Sequence, residues 1–319
     1  MKRILVTGAA GQIGSELVPE LRKLYGSENV VAASNVTPLP DDIRESGPST
    51  TVNVTDYGQI DGVIKKYDMD TLYHLGSILS VSAEQNRRLA YQVNITGLYN
   101  ILEAAKDNNL QRIIVPSSIA AFGPDTPLDN TPNETIQRPN TIYGISKVFG
   151  ELMGDYYFHK FGLDVRGVRL PGIISWKTEP TAGTTDYAVS IFYSAIREQH
   201  YNCYLKPDTR LPMMYKSDAI KSLVKLAEAD VHKLKHHAGF NVNSVSFTPA
   251  ELADSIRSRI PEFTMAYEID PLRQAIADSW PDSLDDSAAK AEWGWEPSYD
   301  LDSMVDDMLE NLNRKLGEE

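Results

Sequence analysis

The first 24 residues constrain the fold more than any other stretch, because they place a strand, a glycine loop and a helix in immediate succession. Arg3-Ile-Leu-Val-Thr7 is a β-branched run ended by Gly8, and Ile13, Leu17, Leu21 and Leu24 recur at helical spacing. Gly8-Ala-Ala-Gly11-Gln12-Ile13-Gly14 forms the turn between them. The alternation continues, with strands expected at 30–33, 51–54, 71–75 and 112–116 and helices at 59–67 and 90–108. Strands separated by helical crossovers form a parallel sheet covered on both faces. The expected fold is therefore α/β, a Rossmann-like doubly wound parallel sheet. A loop carrying Pro124, Pro127, Pro132 and Pro139 follows, then a predicted helix over 142–161 and a strand over 164–169. Beyond Leu170 the alternation weakens, with helices expected at 186–198, 217–229, 249–260 and 301–316 and a strand at 239–245. These segments read as a smaller mixed α/β C-terminal lobe. The chain of 319 residues divides into a dinucleotide-binding domain over 1–170 and a mainly substrate-binding lobe over 171–319, with segments around 216–246 returning to the first.

Charge and cysteine usage narrow the function classes. Thirty-one Lys and Arg against 44 Asp and Glu give a formal charge of −13, the wrong sign for neutralising nucleic-acid phosphates or anionic lipid. No nucleic-acid or membrane partner is expected. Cys203 is the single cysteine, and no Cys and His set has metal-ligand spacing, so no metal is expected. His232, His236 and His237 lie on a Lys-rich stretch and read as a solvated helix face. There is no 18-residue apolar run, and Met1-Lys2-Arg3 leads straight into the first strand, so the expected location is cytoplasmic.

A glycine loop between a strand and a helix turns backbone amides of the helix N-terminus toward a diphosphate, which makes Gly8, Gly11, Gln12, Ile13 and Gly14 candidates for dinucleotide binding. The alternative is a glycine turn with no ligand. Asn35 follows the second strand, where an acidic residue often holds the adenosine ribose. An amide can also bond ribose hydroxyls, and no Arg or Lys lies between Asn35 and Asp42 to receive a 2′-phosphate, so NAD is favoured over NADP.

Tyr143-Gly-Ile-Ser-Lys147 puts a phenol and an ammonium on one helix face. A phenol ionises near pH 10, and a neighbouring cation makes it a better base. Tyr156 and Lys160 repeat the spacing on the same helix, so spacing alone does not choose between the pairs. Ser118 does: it lies just past the carboxyl end of a predicted parallel strand, where open α/β sheets bind ligands, and Tyr143 begins its helix directly after the proline-rich loop. Ser118, Tyr143 and Lys147 are the candidate catalytic set.

With these residues in view, the chain resembles the extended short-chain dehydrogenase/reductase family along essentially its whole length. The resemblance is carried by Thr7-Gly8-Ala-Ala-Gly11-Gln-Ile-Gly14, Asn53-Val54-Thr55-Asp56, His74-Leu75-Gly76-Ser77, Asn94-Ile-Thr-Gly97, Ser117-Ser118, Tyr143-x-x-x-Lys147 and Trp293-Gly294-Trp295-x-Pro297. Within it, Pro171-Gly-Ile-Ile-Ser-Trp176, Gly183-Thr-Thr-Asp-Tyr-Ala-Val189, Leu211-Pro-Met-Met-Tyr215 and Arg273-Gln-Ala-Ile-Ala-Asp-Ser-Trp-Pro281 are similar to the L-threonine 3-dehydrogenase branch. The resemblance implies oxidation of L-threonine by NAD to 2-amino-3-ketobutyrate. It makes Tyr143 the base, Lys147 the residue that lowers the Tyr143 pKa and holds the nicotinamide ribose, and Ser118 the donor to the reacting hydroxyl. It adds Asn53, Val54, Leu75, Gly76, Ser77, Asn94, Pro171 and Ile173 to the cofactor contacts, and Ser80 and Trp280 to the substrate contacts. It also implies a homodimer or larger homo-oligomer.

Gly183-Thr184-Thr185-Asp186 precedes an apolar-periodic run and reads as a helix start, where Thr184 or Thr185 is either an N-cap or a substrate ligand. On the resemblance, the loop amides and both hydroxyls receive the substrate carboxylate, while Asp186 acts on the ammonium or fixes the loop. Two rival readings share the core motifs: a nucleotide-sugar epimerase or dehydratase, and a non-catalytic NAD-sensing regulator. The uncharged Leu211-Pro-Met-Met-Tyr215 speaks against the first, and the Ser118, Tyr143 and Lys147 set against the second.

Overall fold

The structure is a computed structural model that describes residues 1–180 and 183–317. The first lobe runs β1 (Ile4–Thr7), α1 (Gly14–Tyr25), β2 (Val30–Ser34), α2 (Asp41–Glu45), β3 (Ser49–Thr51), α3 (Tyr57–Tyr67), β4 (Thr71–His74), α4 (Ser80–Gln85), α5 (Arg87–Ala90), α6 (Leu98–Asp107), β5 (Arg112–Ile114), β6 (Ser117–Ser118), α7 (Ile142–Phe161), β7 (Asp164–Arg166) and β8 (Val168–Leu170). The second runs β9 (Gly172–Ile174), α8 (Tyr187–Arg197), β10 (His200–Cys203), β11 (Leu211–Tyr215), α9 (Lys216–Glu228), β12 (Phe240–Asn241), β13 (Val245–Phe247), α10 (Pro249–Arg257), β14 (Thr264–Tyr267), α11 (Pro271–Ala277), α12 (Ser287–Trp293) and α13 (Leu301–Gly317).

The main sheet has the order β3-β2-β1-β4-β5-β7 with every pairing parallel, the doubly wound α/β arrangement expected from the alternation. Along β1 successive side chains serve opposite faces. Ile4 and Val6 join a core with Leu17 and Leu21 of α1 and Leu223 of α9, while Leu5 joins Ile60, Ile101 and Ile113 on the other side. Buried on both faces, β1 has no polar alternation, which is why it reads as a continuous apolar run.

The sheet continues as a second parallel ladder, β6-β8-β12. Gly167 marks the junction, because a Cβ there would lie 2.5 Å from the Val115 carbonyl oxygen and 2.6 Å from that of Ala238. The strand expected at 164–169 is thus two strands. β12 comes from the 216–246 region, and α9 packs against α1, β5 and β8, so that region adjoins the first lobe.

Several expectations shift. The third strand lies at Ser49–Thr51 rather than 51–54, because Asn53 makes a local turn in which its Oδ1 accepts from the Thr55 amide at 3.1 Å and the Thr55 hydroxyl at 2.9 Å. The helix expected at 90–108 is interrupted by a π-helical turn at Tyr91–Gly97. The strand expected at 239–245 is split between β12 and β13. Of the three histidines only His232 lies exposed on a short helical turn, Val231–Lys233: His237 is buried and stacks on Phe158 with ring centroids 3.7 Å apart, and His236 is held against Glu292 through Nδ1 at 2.5 Å.

The second lobe centres on Tyr187, Phe192, Met213, Leu252, Trp280 and Met308, and the same continuous cluster contains Ile119, Phe122 and Tyr143 of the first lobe. Among the described residues, no helix is long and apolar enough to cross a membrane, and no group of three His, Cys, Asp or Glu could hold a metal ion.

Candidate active site

Three glycines shape the floor of the site, for different reasons. Gly8 has φ +72°, and a Cβ on it would lie 2.6 Å from the Gly76 amide nitrogen, so β4 can approach only a glycine. A Cβ on Gly14 would lie 2.3 Å from the Gly8 carbonyl oxygen and 2.6 Å from Ala9 Cα. Gly11 differs: its φ is outside the left-handed region, and among the described residues a Cβ on it would meet only the Gly8 oxygen within 4 Å, at 3.3 Å. Neither backbone strain nor packing against protein demands glycine there. A Cβ would instead take up space at the N-terminus of α1, where a diphosphate needs close access to the amides. That spare volume fits a bound dinucleotide. The Gln12 side chain ties the loop to the second lobe, donating to the Ile173 carbonyl at 3.4 Å.

A cavity of about 1080 Å³ spans the lobe junction above this floor. Its walls include Gly8, Gly11, Gln12, Ile13 and Gly14 from the loop, Leu75, Ser77 and Ser80 after β4, Ser118, Tyr143 and Lys147, then Pro171 and Ile173, and finally Thr184, Thr185, Asp186 and Trp280. Five sequence candidates lie elsewhere. Asn35 is exposed one residue past β2. Asn53 is occupied in its local turn, and Val54 packs against Gly97, where a Cβ would lie 2.8 Å from Val54 Cγ2. Gly76 and Asn94 border a smaller neighbouring cavity instead. Asn94, inside the π-helical turn, clamps Ile78 by accepting from its amide at 2.8 Å and donating to its carbonyl at 2.9 Å, and donates to Ser146 Oγ at 3.3 Å. It acts on the backbone of the loop after β4.

The catalytic candidates converge because helix α7 starts hard against the end of β6. Thr141 caps α7, its Oγ1 accepting from the Gly144 amide at 3.0 Å, and a Cβ on Gly144 would lie 2.2 Å from the Ala120 carbonyl oxygen. Tyr143 and Ser118 wall the same cavity, and Ser118 Oγ also accepts from the Ala120 amide at 3.2 Å. Lys147 donates to the Pro116 carbonyl at 2.9 Å and lies 5.3 Å from the centroid of the Tyr143 ring. Tyr156 is half exposed and Lys160 exposed on the outer part of the helix, so the second Tyr/Lys pair is remote from the cavity.

Electrostatics within the protein depart from one expectation. Burial pushes the Tyr143 phenol up to about 12, against the opposing influence of the Ser118 hydroxyl. Lys147 contributes no resolved lowering of it; burial brings Lys147 itself down to about 8, opposed by the charge of Glu151. Burial thus drives apart two values that ordinarily lie close together, keeping the phenol protonated and loosening the hold of Lys147 on its own proton. His74, whose Nδ1 lies 2.8 Å from Thr7 Oγ1, is held neutral by burial, its pKa pushed down to about 3.

Across the cavity, Thr184 and Trp280 are 1% and 5% exposed, yet Thr184 Oγ1 and Trp280 Nε1 have no hydrogen-bond partner among the described residues. Leaving such groups unsatisfied carries a desolvation penalty that a bound polar molecule would relieve. The N-cap reading fails: neither the turn Thr184–Asp186 nor α8 has a side-chain cap, and Thr185 instead packs its Cβ over Gly172. His74, Leu79, Ile119, Gly172 and Gly183 also wall the cavity and were not singled out from sequence. His74, Gly172 and Gly183 carried a signal, in the strings His74–Ser77, Pro171–Trp176 and Gly183–Val189.

Residues 4–242 match the model of the NAD dependent epimerase/dehydratase family. An uncharacterized epimerase/dehydratase of Staphylococcus aureus (strain USA300) is 47% identical over 315 residues, covering 99% of this chain and 98% of its own. The X-ray structure of L-threonine dehydrogenase from Clostridium difficile superposes with a TM-score of 0.96 at 51% identity, covering 99% of this chain and 98% of that one. The holo form of a GalE-like L-threonine dehydrogenase from Cupriavidus necator gives 0.94 at 46% identity, covering 97% and 99%. The chain belongs to the NAD-dependent epimerase/dehydratase family and is an NAD-dependent oxidoreductase.

Proposed function

We propose that this family member oxidises the 3-hydroxyl of L-threonine to give 2-amino-3-ketobutyrate. The observation that carries the reading is that one cavity joins the Ser118, Tyr143 and Lys147 set to two buried unpartnered donors, Thr184 Oγ1 and Trp280 Nε1. The solved relatives named L-threonine dehydrogenases, 51% and 46% identical to this chain, support the choice of substrate.

NAD supplies the hydride acceptor when bound. Gly8, Gly11, Gln12, Ile13 and Gly14 would hold its diphosphate, Asn35 its adenosine ribose, Lys147 its nicotinamide ribose, and Pro171 and Ile173 its nicotinamide end; Asn53, Val54, Leu75, Gly76, Ser77 and Asn94 would border it or support the loops that do. Tyr143 accepts the proton of the substrate hydroxyl, and Ser118 donates to the oxygen as it becomes a carbonyl. Thr184, Thr185 and the adjoining amides receive the carboxylate, Asp186 serves the ammonium or its loop, and Ser80 and Trp280 close the remaining sides. Since Tyr143 is protonated at neutral pH, the rate rises with pH through the range where the phenol begins to ionise.

A nucleotide-sugar substrate is disfavoured. Lys147 is the one cationic side chain among the described residues walling the cavity, and Leu211–Tyr215 is a fully buried strand between β9 and β13. A sugar diphosphate needs cationic partners that this wall does not offer. A non-catalytic regulator would have no use for the Tyr143 and Lys147 arrangement. The test is NADH formation with L-threonine, L-serine and UDP-galactose by the native protein and Tyr143→Phe. Turnover with threonine that falls by about 10²- to 10⁴-fold in the variant is expected; undiminished turnover in the variant, or none with threonine in the native protein, overturns the reading.

Resemblance to the family also points to a homodimer. Tyr99, Ile145, Leu152 and Tyr156 of α6 and α7 are between 46% and 63% exposed, an apolar face suited to a second copy. Sedimentation velocity showing only monomer at micromolar concentration would remove that assignment.

A further inference from the structure

Helix α7 meets the strand segment 116–118 through three side chains one turn apart. Tyr143 shares a cavity wall with Ser118, Lys147 donates to the Pro116 carbonyl at 2.9 Å, and Glu151 accepts from the Ser117 hydroxyl. The first two belong to the proton-transfer set; the third has been given no part in the chemistry. Glu151 is nevertheless buried and heavily anchored. It accepts from Arg169 NH2 at 2.8 Å and Nε at 3.0 Å and from Gln137 Nε2 at 2.7 Å. Arg169 is itself fixed by the Asn133 carbonyl at 2.7 Å and Asn241 Oδ1 at 3.1 Å.

Lys147 and Glu151 also wall the same small cavity of about 450 Å³ behind the active site, together with His74, Asn94, Ser117 and Ser146. We propose that Glu151 is a positioning residue for the dehydrogenation: it fixes α7 against the strand bearing Ser118 and supplies the negative charge that balances the Lys147 ammonium inside the protein. This rests on the proton-transfer role proposed above for Tyr143 and Lys147.

From its own helix, Lys147 has Tyr143 on one side and Glu151 on the other; from β4 it has His74, which is neutral. Glu151 faces Arg169 from β8, Ser117 from β6 and Gln137 from the proline-rich loop, with Asp155 one turn further along α7. Glu151 is thus the anion acting on Lys147, while Arg169 offsets part of its field. Its opposition to the burial of Lys147 agrees with this geometry.

Glu151→Gln retains the side-chain shape and removes the charge; Glu151→Asp retains the charge and shortens the reach. The readouts are threonine-dependent kcat and KM as a function of pH and, with no substrate present, the pH midpoint of Lys147 acetylation by acetic anhydride, followed by mass spectrometry. In Glu151→Gln the Lys147 midpoint falls by about one pH unit, and the pH profile of kcat moves with it while the threonine KM stays within twofold. In Glu151→Asp the midpoint returns toward that of the native protein and kcat remains reduced at every pH. If the uncompensated Arg169 prevents folding of Glu151→Gln, the pair Glu151→Gln with Arg169→Met removes both buried charges and is read in the same way. An unchanged Lys147 midpoint, or a loss of kcat uniform across pH and tracking the melting temperature, overturns the proposal. Should the native protein fail to turn over threonine, the proposed function falls, and the acetylation midpoints still decide whether Glu151 acts on Lys147.

Discussion

Exchanging single glycines of the loop for alanine separates what the fold needs from what the dinucleotide needs. At Gly14 the new methyl would stand 2.3 Å from one backbone atom and 2.6 Å from another, neither on a flexible side chain. Overpacking of this kind costs about 1–3 kcal/mol, and in a chain somewhat larger than 250 residues each kcal/mol lowers the melting temperature by roughly 2 °C. At Gly11 the nearest atom would be 3.3 Å away and the backbone is compatible with alanine. The loss of unfolded-state freedom contributes about 0.4–1 kcal/mol in favour of the variant, offset by that close contact, so its melting temperature should stay within about 2 °C of native. The Gly11 methyl would, however, occupy the space above the α1 amides. A steric penalty of about 1–3 kcal/mol there weakens NADH binding by roughly 5- to 150-fold. At an NADH concentration of 100 times the native dissociation constant, the native protein gains about 2.7 kcal/mol, whereas a variant weakened 100-fold gains about 0.4 kcal/mol. Calorimetric melts with and without NADH, together with fluorescence titration, measure both quantities. Native-like NADH affinity in Gly11→Ala, or a melting temperature as low as that of Gly14→Ala, would refute the assignment of the loop.

Two further outcomes follow from groups inside the site. Thr184→Val removes a hydroxyl that makes no hydrogen bond among the described residues, so stability should be unchanged or slightly raised, while loss of a bond to the substrate carboxylate, about 1.5–3 kcal/mol, raises the threonine KM about 10- to 150-fold; an unaltered KM would exclude Thr184 from substrate binding. His74 titrates near 3 in the folded chain and near 6.5 when unfolded, so below pH 6.5 the unfolded state binds the extra proton and stability falls by about 1.4 kcal/mol per pH unit until pH 3. Urea midpoints measured from pH 7 to 4 should lose that one-proton slope in His74→Asn, and parallel slopes for the two proteins would show that His74 is not buried neutral.

What sequence could and could not disclose follows from the range of the forces involved. β1, the glycine loop and α1 were legible because period, turn chemistry and helix start agree within one short stretch. The expected helix over 142–161 coincides with α7 because a Thr cap and a left-handed Gly162 bound it locally. The π-helical turn at Tyr91–Gly97 was not legible: it depends on Asn94 reaching Ile78 and Ser146, contacts distant in the chain. The acidity of Tyr143 was misjudged for a similar reason. Spacing shows that an ammonium is near, while desolvation depends on an apolar cluster, drawn from both lobes, in which the ring is buried. Glu151 sits one turn beyond the Tyr143 and Lys147 motif, but nothing in its spacing reveals Ser117 or Arg169.

The shared apolar layer that joins Tyr143 and Ile119 to Phe192, Met213 and Leu252 bears on how reactants reach the phenol. Swinging the lobes apart as rigid jaws would wet that layer, at about 25 cal/mol for each square ångström uncovered. Traffic in and out should therefore proceed by local rearrangement at the rim rather than by hinge bending, leaving the base dry and its surroundings constant through successive turnovers.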